Sequence, residues 1–124
     1  MNAKSIAAVV CLSLAFAGSA MAQQKSGPNG GMIAGKDGHE TELVVTAAEL
    51  TVYILDDGKI HDTKGTNLKA IVQDGGKVTP IELKDADGKK LVGKLAAPLA
   101  KGAIVVLTGK DDHGHGISAR YVIN

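Results

Sequence analysis

Two of the four histidines in this 124-residue chain, His113 and His115, stand one glycine apart near the C-terminus. If a β-strand runs through both of them, their imidazoles project from one face, with Cα atoms roughly 6 to 7 Å apart. Imidazole nitrogen suits Cu(II), Zn, Ni and Co, and two imidazoles at this spacing can share one ion. The spacing therefore favours a transition-metal site in this part of the chain.

Two ligands do not complete such a site, and residues nearby and earlier in the chain are candidates for the rest. His61 follows an Asp-Gly pair and is interpreted equally well as a ligand or as a surface residue. The sequence therefore predicts a candidate ligand set without it. That set is His39, Asp111, Asp112, His113 and His115.

A second interpretation needs no metal. Residues Lys110–Gly116 have the composition of a solvated hairpin tip, in which aspartate and glycine serve the turn and histidines are tolerated because nothing packs on them. His39 likewise follows an Asp-Gly pair and can be a residue at the start of a strand. Both interpretations stay open at the level of sequence.

Catalytic motifs do not fit the chain. Ser118 does not lie in a nucleophile elbow, and regular alternation puts it on the opposite strand face from the two nearby histidines. The segment Asp85–Gly88 has no closing glutamate of a calcium loop, and no glycine-rich stretch carries the lysine of a phosphate loop. We predict that the protein is not an enzyme.

The N-terminus has the pattern of a secretory signal peptide. Lys4 precedes an apolar run, Ile6–Ala17, and the small residues of Ala20–Ala22 form an A-x-A cleavage signal. The run is shorter than the ~20 apolar residues that span a bilayer, so we expect cleavage after Ala22, export to the periplasm and no membrane anchor. Cys11, the only cysteine, would be lost with residues 1–22, which excludes disulfides and thiolate ligands from the mature chain.

The expected mature chain has 102 residues, the size of one domain, with 13 basic and 13 acidic side chains. Arg120 is the only arginine, and Tyr53 and Tyr121 are the only aromatic residues after the predicted signal peptide. Nucleic-acid binding requires a basic face and usually stacking platforms. The composition therefore argues against a nucleic-acid partner.

Short extended runs separated by turn residues predict an all-β fold. Residues 23–31 form an expected flexible leader, and residues 32–124 an expected antiparallel β-sandwich of about seven to eight strands. Helix is expected only as a turn near Ala96–Ala100. Pro80 has no amide hydrogen, so its strand should lie at a sheet edge or carry a bulge. The predicted strands are 32–34, 40–46, 50–55, 67–73, 78–83, 90–95, 103–108 and 117–123.

The order of several segments resembles a known family. These segments are PNGGMI, GHETELVV, ELTVYILDDGKIHDTKG, KVTPIELKDADGKKLVGKL and KGAIVVLTGKDDHG. Together they are similar to small proteobacterial periplasmic proteins and to an N-terminal segment of heavy-metal efflux adaptor proteins. The resemblance implies an Ig-like periplasmic domain associated with copper, cobalt, zinc or nickel resistance. His39 matches a strand-entry histidine of that family, whereas Asn29 stands where its members often have histidine.

These observations predict an exported binding module that weakly captures or buffers a copper, zinc, nickel or cobalt ion in connection with metal efflux. The alternative is a non-catalytic structural or interaction protein that binds no ligand and presents a sheet edge to a periplasmic partner such as an efflux component. In either case we expect a monomer or a weak dimer.

Overall fold

The computed structural model describes residues 24–36 and 39–124, which form an all-β structure with no helix in those ranges. Eleven strands pair into two antiparallel sheets, one of seven strands and one of four. The predicted signal peptide, residues 1–22, lies outside the described residues. The strands are β1 (Lys25–Ser26), β2 (Met32–Lys36), β3 (His39–Val45), β4 (Glu49–Asp56), β5 (Lys59–Ile60), β6 (Asn67–Asp74), β7 (Lys77–Glu82), β8 (Lys84–Ala86), β9 (Lys90–Lys94), β10 (Ile104–Lys110) and β11 (Gly116–Val122).

All eight predicted strands are present, with ends that shift by at most two residues. The predicted count of seven to eight is nevertheless wrong, because β1, β5 and β8 are two or three residues long and too short to show alternation. The expected helical turn at Ala96–Ala100 is also wrong, since this segment connects β9 to β10 without helix. Within the part of the expected leader that the structure describes, residues 24–31, the chain forms β1 and a turn.

Strand β4 lies at the centre of the larger sheet, whose order is β1-β2-β3-β4-β9-β8. On the side away from β3, the start of β4 pairs with β9 and its end pairs with β5. The smaller sheet has the order β11-β10-β6-β7, so β7 is an edge strand. Pro80 lies in β7 opposite Ile71, which confirms the predicted edge position.

Asp-Gly pairs close two hairpins, as the sequence predicts. Asp57 and Gly58 join β4 to β5 with φ of 48° and 81°, and Asp87 and Gly88 follow β8 with φ of 61° and 68°. Such left-handed backbone suits glycine and is tolerated by aspartate. The Asp85 carboxylate accepts a hydrogen bond from the Gly88 amide at 3.3 Å, so this segment is a turn braced by its own side chain.

Both sheets contribute to one hydrophobic cluster. In β11 the predicted inward face is confirmed, because Ala119, Tyr121 and Ile123 beyond its end are buried and Ile117 packs against the cluster. The buried members are Leu43, Leu50, Val52, Ile54, Leu68, Ala70, Val72, Ile81, Leu83, Leu91, Ala103, Val105, Leu107, Ala119, Tyr121 and Ile123.

Tyr121 joins the two sheets through its hydroxyl group. The hydroxyl donates a hydrogen bond to the Thr41 carbonyl oxygen at 2.6 Å and lies 2.6 Å from Thr41 Oγ1. Because the phenol donates to the carbonyl, the Thr41 hydroxyl is the donor in the second contact. Burial raises the pKa of the Tyr121 phenol well above its ordinary value, so it stays a protonated donor.

Glu42 is fully buried on the face of β3 opposite Leu43, beneath the turn formed by residues Gly27–Gly31. Its carboxylate accepts hydrogen bonds from the Asn29 amide at 2.7 Å, from Asn29 Nδ2 at 2.9 Å and from the Gly31 amide at 3.1 Å. A Cβ atom at Gly27 would lie 2.2 Å from this carboxylate, so a larger residue there would push the carboxylate out of its position. We call Glu42 and this turn the Glu42 clasp. Asn29 thus closes a buried structural contact.

The antiparallel topology gathers several chain segments at one end of the molecule. His39 begins β3 and pairs with Asp56 at the end of β4. The hairpin tip 111–115 joins the end of β10 to the start of β11. Residue 61 directly follows β5. Segments distant in sequence therefore meet where the candidate metal ligands lie.

Candidate metal centre

All four histidines of the chain lie in one row at this end. Ring centres are 6.0 Å apart for His39 and His115, 6.2 Å for His115 and His113, and 6.3 Å for His113 and His61. The row draws on three separate parts of the chain and on both sheets. We call it the histidine row.

Asp111 shapes the hairpin tip that carries the middle of the row. Its Oδ1 accepts hydrogen bonds from the His113 amide at 2.9 Å and the His115 amide at 2.7 Å. Its backbone amide donates to the His115 carbonyl at 2.9 Å, and the Gly114 amide donates to the Asp111 carbonyl at 3.1 Å. The main chain of the tip is thereby fixed, while the side chains of His113 and His115 are 67 and 68 % exposed.

The pKa of the Asp111 carboxyl is lowered from its ordinary value. Loss of hydration at the tip would raise this pKa, but hydrogen bonds from the amides of His115 and His113 and the proximity of the His115 ring lower it and prevail. Asp111 is therefore an anion at neutral pH and faces the row as a negative charge.

Two histidines of the row and Asp112 lie close to the spacing of a metal site. Asp112 Oδ1 lies 3.3 Å from His61 Nε2 and 3.7 Å from His113 Nε2, and ligand atoms of the three residues all lie within 4.8 Å of one another. Tetrahedral zinc with bonds of about 2.0 to 2.2 Å places its ligand atoms roughly 3.4 Å apart. We call His61, Asp112 and His113 the triad. Its atoms need to move by an ångström or so to surround one ion.

His61 is the triad member absent from the predicted ligand set. Its backbone amide donates to the Ile54 carbonyl at 2.7 Å, which continues the β4–β5 hairpin and aims the side chain across the gap between the sheets at Asp112. In the sequence His61 and Asp112 are 51 positions apart. Only the placement of one sheet against the other brings them together, so no local pattern could have identified the contact.

The other predicted ligands divide between the two ends of the row. Asp112 and His113 belong to the triad, whereas Asp111 Oδ2 lies 3.3 Å from His115 Nδ1 and His39 lies beyond His115. Strand β11 begins only at Gly116, so the strand geometry assumed for the two tip histidines does not apply to them. They remain neighbours because the Asp111 turn folds the tip.

Two open clefts flank the row. A cleft of about 490 Å³ lies beside His61 and is lined also by Lys64, Asp87 and Lys89. A cleft of about 580 Å³ has His39 and His115 in its wall, together with Lys36 and residues of β10 and β11. Both ends of the row are therefore open to solvent and to small solutes.

The fold and site together define an all-β protein with a surface-exposed group of histidine and aspartate ligands. No protein-family model matches the chain, and no curated protein or solved structure matches it. The resemblance to periplasmic metal-resistance proteins therefore stays a prediction. Within residues 24–36 and 39–124, no helix has the length and apolarity needed to cross a membrane.

Proposed function

We propose that this chain is an exported, non-catalytic binding module that captures a transition-metal ion at its surface and buffers it or passes it on. The observation that carries the proposal is the triad, whose two imidazole nitrogens lie 3.3 and 3.7 Å from a shared carboxylate oxygen. Two imidazoles and one carboxylate suit Zn, Cu(II), Ni and Co.

The exposure of the triad supports capture and release in preference to a permanent structural ion. The side chains of His61 and Asp112 are 28 and 32 % exposed, and that of His113 is 67 % exposed. Three protein ligands leave a tetrahedral ion one further position, which water or a ligand from a partner can fill. An ion held in this way exchanges with solution. Enzymes usually exclude water from the site of reaction, and the triad is open to water, so its exposure favours binding over catalysis.

The proposed setting is the periplasm, and the proposed fold is a single Ig-like sandwich. Support comes from the signal-peptide pattern of residues 1–22 and from the resemblance to periplasmic metal-resistance proteins. The shared hydrophobic cluster of the two sheets supports the sandwich. The proposed partner is a periplasmic efflux component, which would receive the ion when this chain releases it.

The proposal is tested by calorimetric titration of the untagged full chain with Zn(II), Cu(II), Ni(II) and Co(II). All variants carry Cys11→Ala, which removes the only thiol. We expect saturable binding that falls by about 10- to 100-fold in Asp112→Asn and in His61→Ala, since even changes to groups around the ligands cost this much.

Glu82→Gln is the matched control for Asp112→Asn, because it also replaces an exposed carboxylate by an amide, but at a position in β7 outside the triad. It should bind as the parent does. Unchanged binding in both Asp112→Asn and His61→Ala would contradict the triad, and no binding by the parent would contradict the function.

A second candidate function is a ligand-free interaction module that uses the edge strand β7. Val78 on β7 is 60 % exposed, and Pro80 lies on the same edge. An apolar edge can add a strand from a partner. If the parent binds no metal, co-purification with periplasmic efflux components that is lost in Val78→Lys supports this function.

A further inference from the structure

The end of the histidine row opposite the triad has its own carboxylate. His115 Nδ1 lies 3.3 Å from Asp111 Oδ2, and the ring centre of His39 lies 6.0 Å from that of His115. Asp112 by contrast contacts His61 and His113. Each half of the row therefore has two imidazoles and one carboxylate, and among the described residues the triad is the half whose ligand atoms already lie within 4.8 Å of one another.

We propose that His39, His115 and Asp111 bind a second transition-metal ion next to the one held by the triad. This inference rests on the proposed function, because the triad must first bind a metal for the two halves to act together. The ligand is an ion of the same class, Zn(II), Cu(II), Ni(II) or Co(II), since the donor atoms are the same.

The dimensions of the row favour two ions over one. Two imidazoles on a tetrahedral ion with bonds of about 2.1 Å have ring centres roughly 5 Å apart. Neighbouring rings in the row are 6.0 to 6.3 Å apart, about 1 Å more than this spacing, so adjacent rings must move closer together to share an ion. The group of ligand atoms that lie within 4.8 Å of one another at the triad includes neither His39 nor His115. Asp112 contacts His61 and His113, whereas Asp111 contacts His115. The two carboxylates therefore assign His61 and His113 to one ion and His115 and His39 to the other.

The second ion should bind more weakly than the first. The charge of Lys36 lies in the wall of the same cleft as His39 and His115, and it opposes a cation there. Two divalent ions in adjacent halves also repel each other. The binding steps should therefore separate, with the triad filling first.

Native mass spectrometry and calorimetry with Zn(II) measure the number of ions bound to the untagged Cys11→Ala chain. We expect two equivalents for the parent and for the control Glu82→Gln. His39→Ala and His115→Ala should each lose the weaker equivalent and keep the tighter one, whereas His61→Ala should lose the tighter one. Lys36→Met should strengthen the weaker step without changing the tighter step.

Electron paramagnetic resonance with two equivalents of Cu(II) gives an independent readout. Two Cu(II) ions in adjacent halves of the row should broaden each other's spectra by dipolar coupling, and His39→Ala should remove the broadening. One equivalent in the parent that is unaffected by His39→Ala and His115→Ala would overturn the second site and leave the triad intact. One equivalent that every histidine variant weakens would also overturn it, in favour of a single shared ion. No metal bound by the parent would overturn the proposed function itself.

Discussion

The Glu42 clasp and the hairpin tip at Asp111 and Asp112 both consist of carboxylates and the backbone amides around them, yet they have opposite properties. Glu42 is 0 % exposed, and three N–H groups of the turn point at its two oxygens. At the tip, the amides bind only Asp111 Oδ1, and the neighbouring imidazoles remain exposed. A carboxylate with all its partners inside the protein serves stability, whereas carboxylates that contact exposed imidazoles at the surface can serve a ligand.

This difference predicts that changes in the clasp act on folding and changes at the tip act on metal binding. The two regions are formed by different parts of the chain, the clasp by β3 and the turn between β1 and β2, and the tip by the connection between β10 and β11. Variants of each region can therefore be measured for both properties. The comparison fails if a clasp variant changes metal affinity directly or if a tip variant unfolds the protein.

Glu42→Ala should have the largest effect on stability. It leaves the buried Gly31 amide and the part-buried donors of Asn29 without their acceptor and opens a cavity under the turn. We expect the free energy of unfolding to fall by about 3 kcal/mol, measured by urea denaturation. Zinc affinity at a temperature where the variant is folded should equal that of the parent. A loss below about 1 kcal/mol would show that the clasp is not a stabilising contact.

Asn29→Ala should have an intermediate effect, because it removes the Nδ2 hydrogen bond at 2.9 Å but keeps the backbone donor. A hydrogen bond to a charged group contributes about 1.5 to 3 kcal/mol, and partial exposure of this one favours the lower end. We expect a loss of about 1.5 kcal/mol in urea denaturation. Asn29→Asp is the informative companion, since it sets a second negative charge against Glu42 and should destabilise more than alanine does.

The strands could be predicted from sequence far better than these two regions. Alternation identifies β4 through its apolar residues Leu50, Val52 and Ile54, and it identifies β11 through its one buried face. The pair Asp57-Gly58 marks the turn after β4, because both residues adopt left-handed backbone. Glu42 carries no such signal. Thr41, Glu42 and Leu43 are all buried, since the turn above covers the face that alternation assigns to solvent. His61 likewise meets Asp112 only because the two sheets lie against each other.

Acidification should reveal the role of Asp111 at the tip. A carboxyl whose pKa is lower in the folded than in the unfolded protein contributes stability above its unfolded pKa, and this contribution is lost as pH falls through the folded value. The contribution of Asp111 should therefore be present at pH 7 and disappear below the ordinary value of 3.8. We expect the melting temperature of Asp111→Asn to lie slightly below that of the parent at pH 7 and to converge with it near pH 2. Parallel curves across this range would show that the amide contacts do not depend on the charge.

His113→Ala should have the smallest effect on the metal-free fold. Its side chain is 67 % exposed, and exposed substitutions usually change stability by no more than about 0.5 kcal/mol. Saturating Zn(II) should raise the melting temperature of the parent, because an ion that binds only the folded state stabilises it by mass action. The increase should shrink in His113→Ala, while Glu42→Ala should keep the full increase from its lower starting point. The same increase in His113→Ala as in the parent would place the ion outside the triad. It would also contradict the proposed difference between Glu42, which stabilises the fold, and the tip carboxylates, which bind the ion.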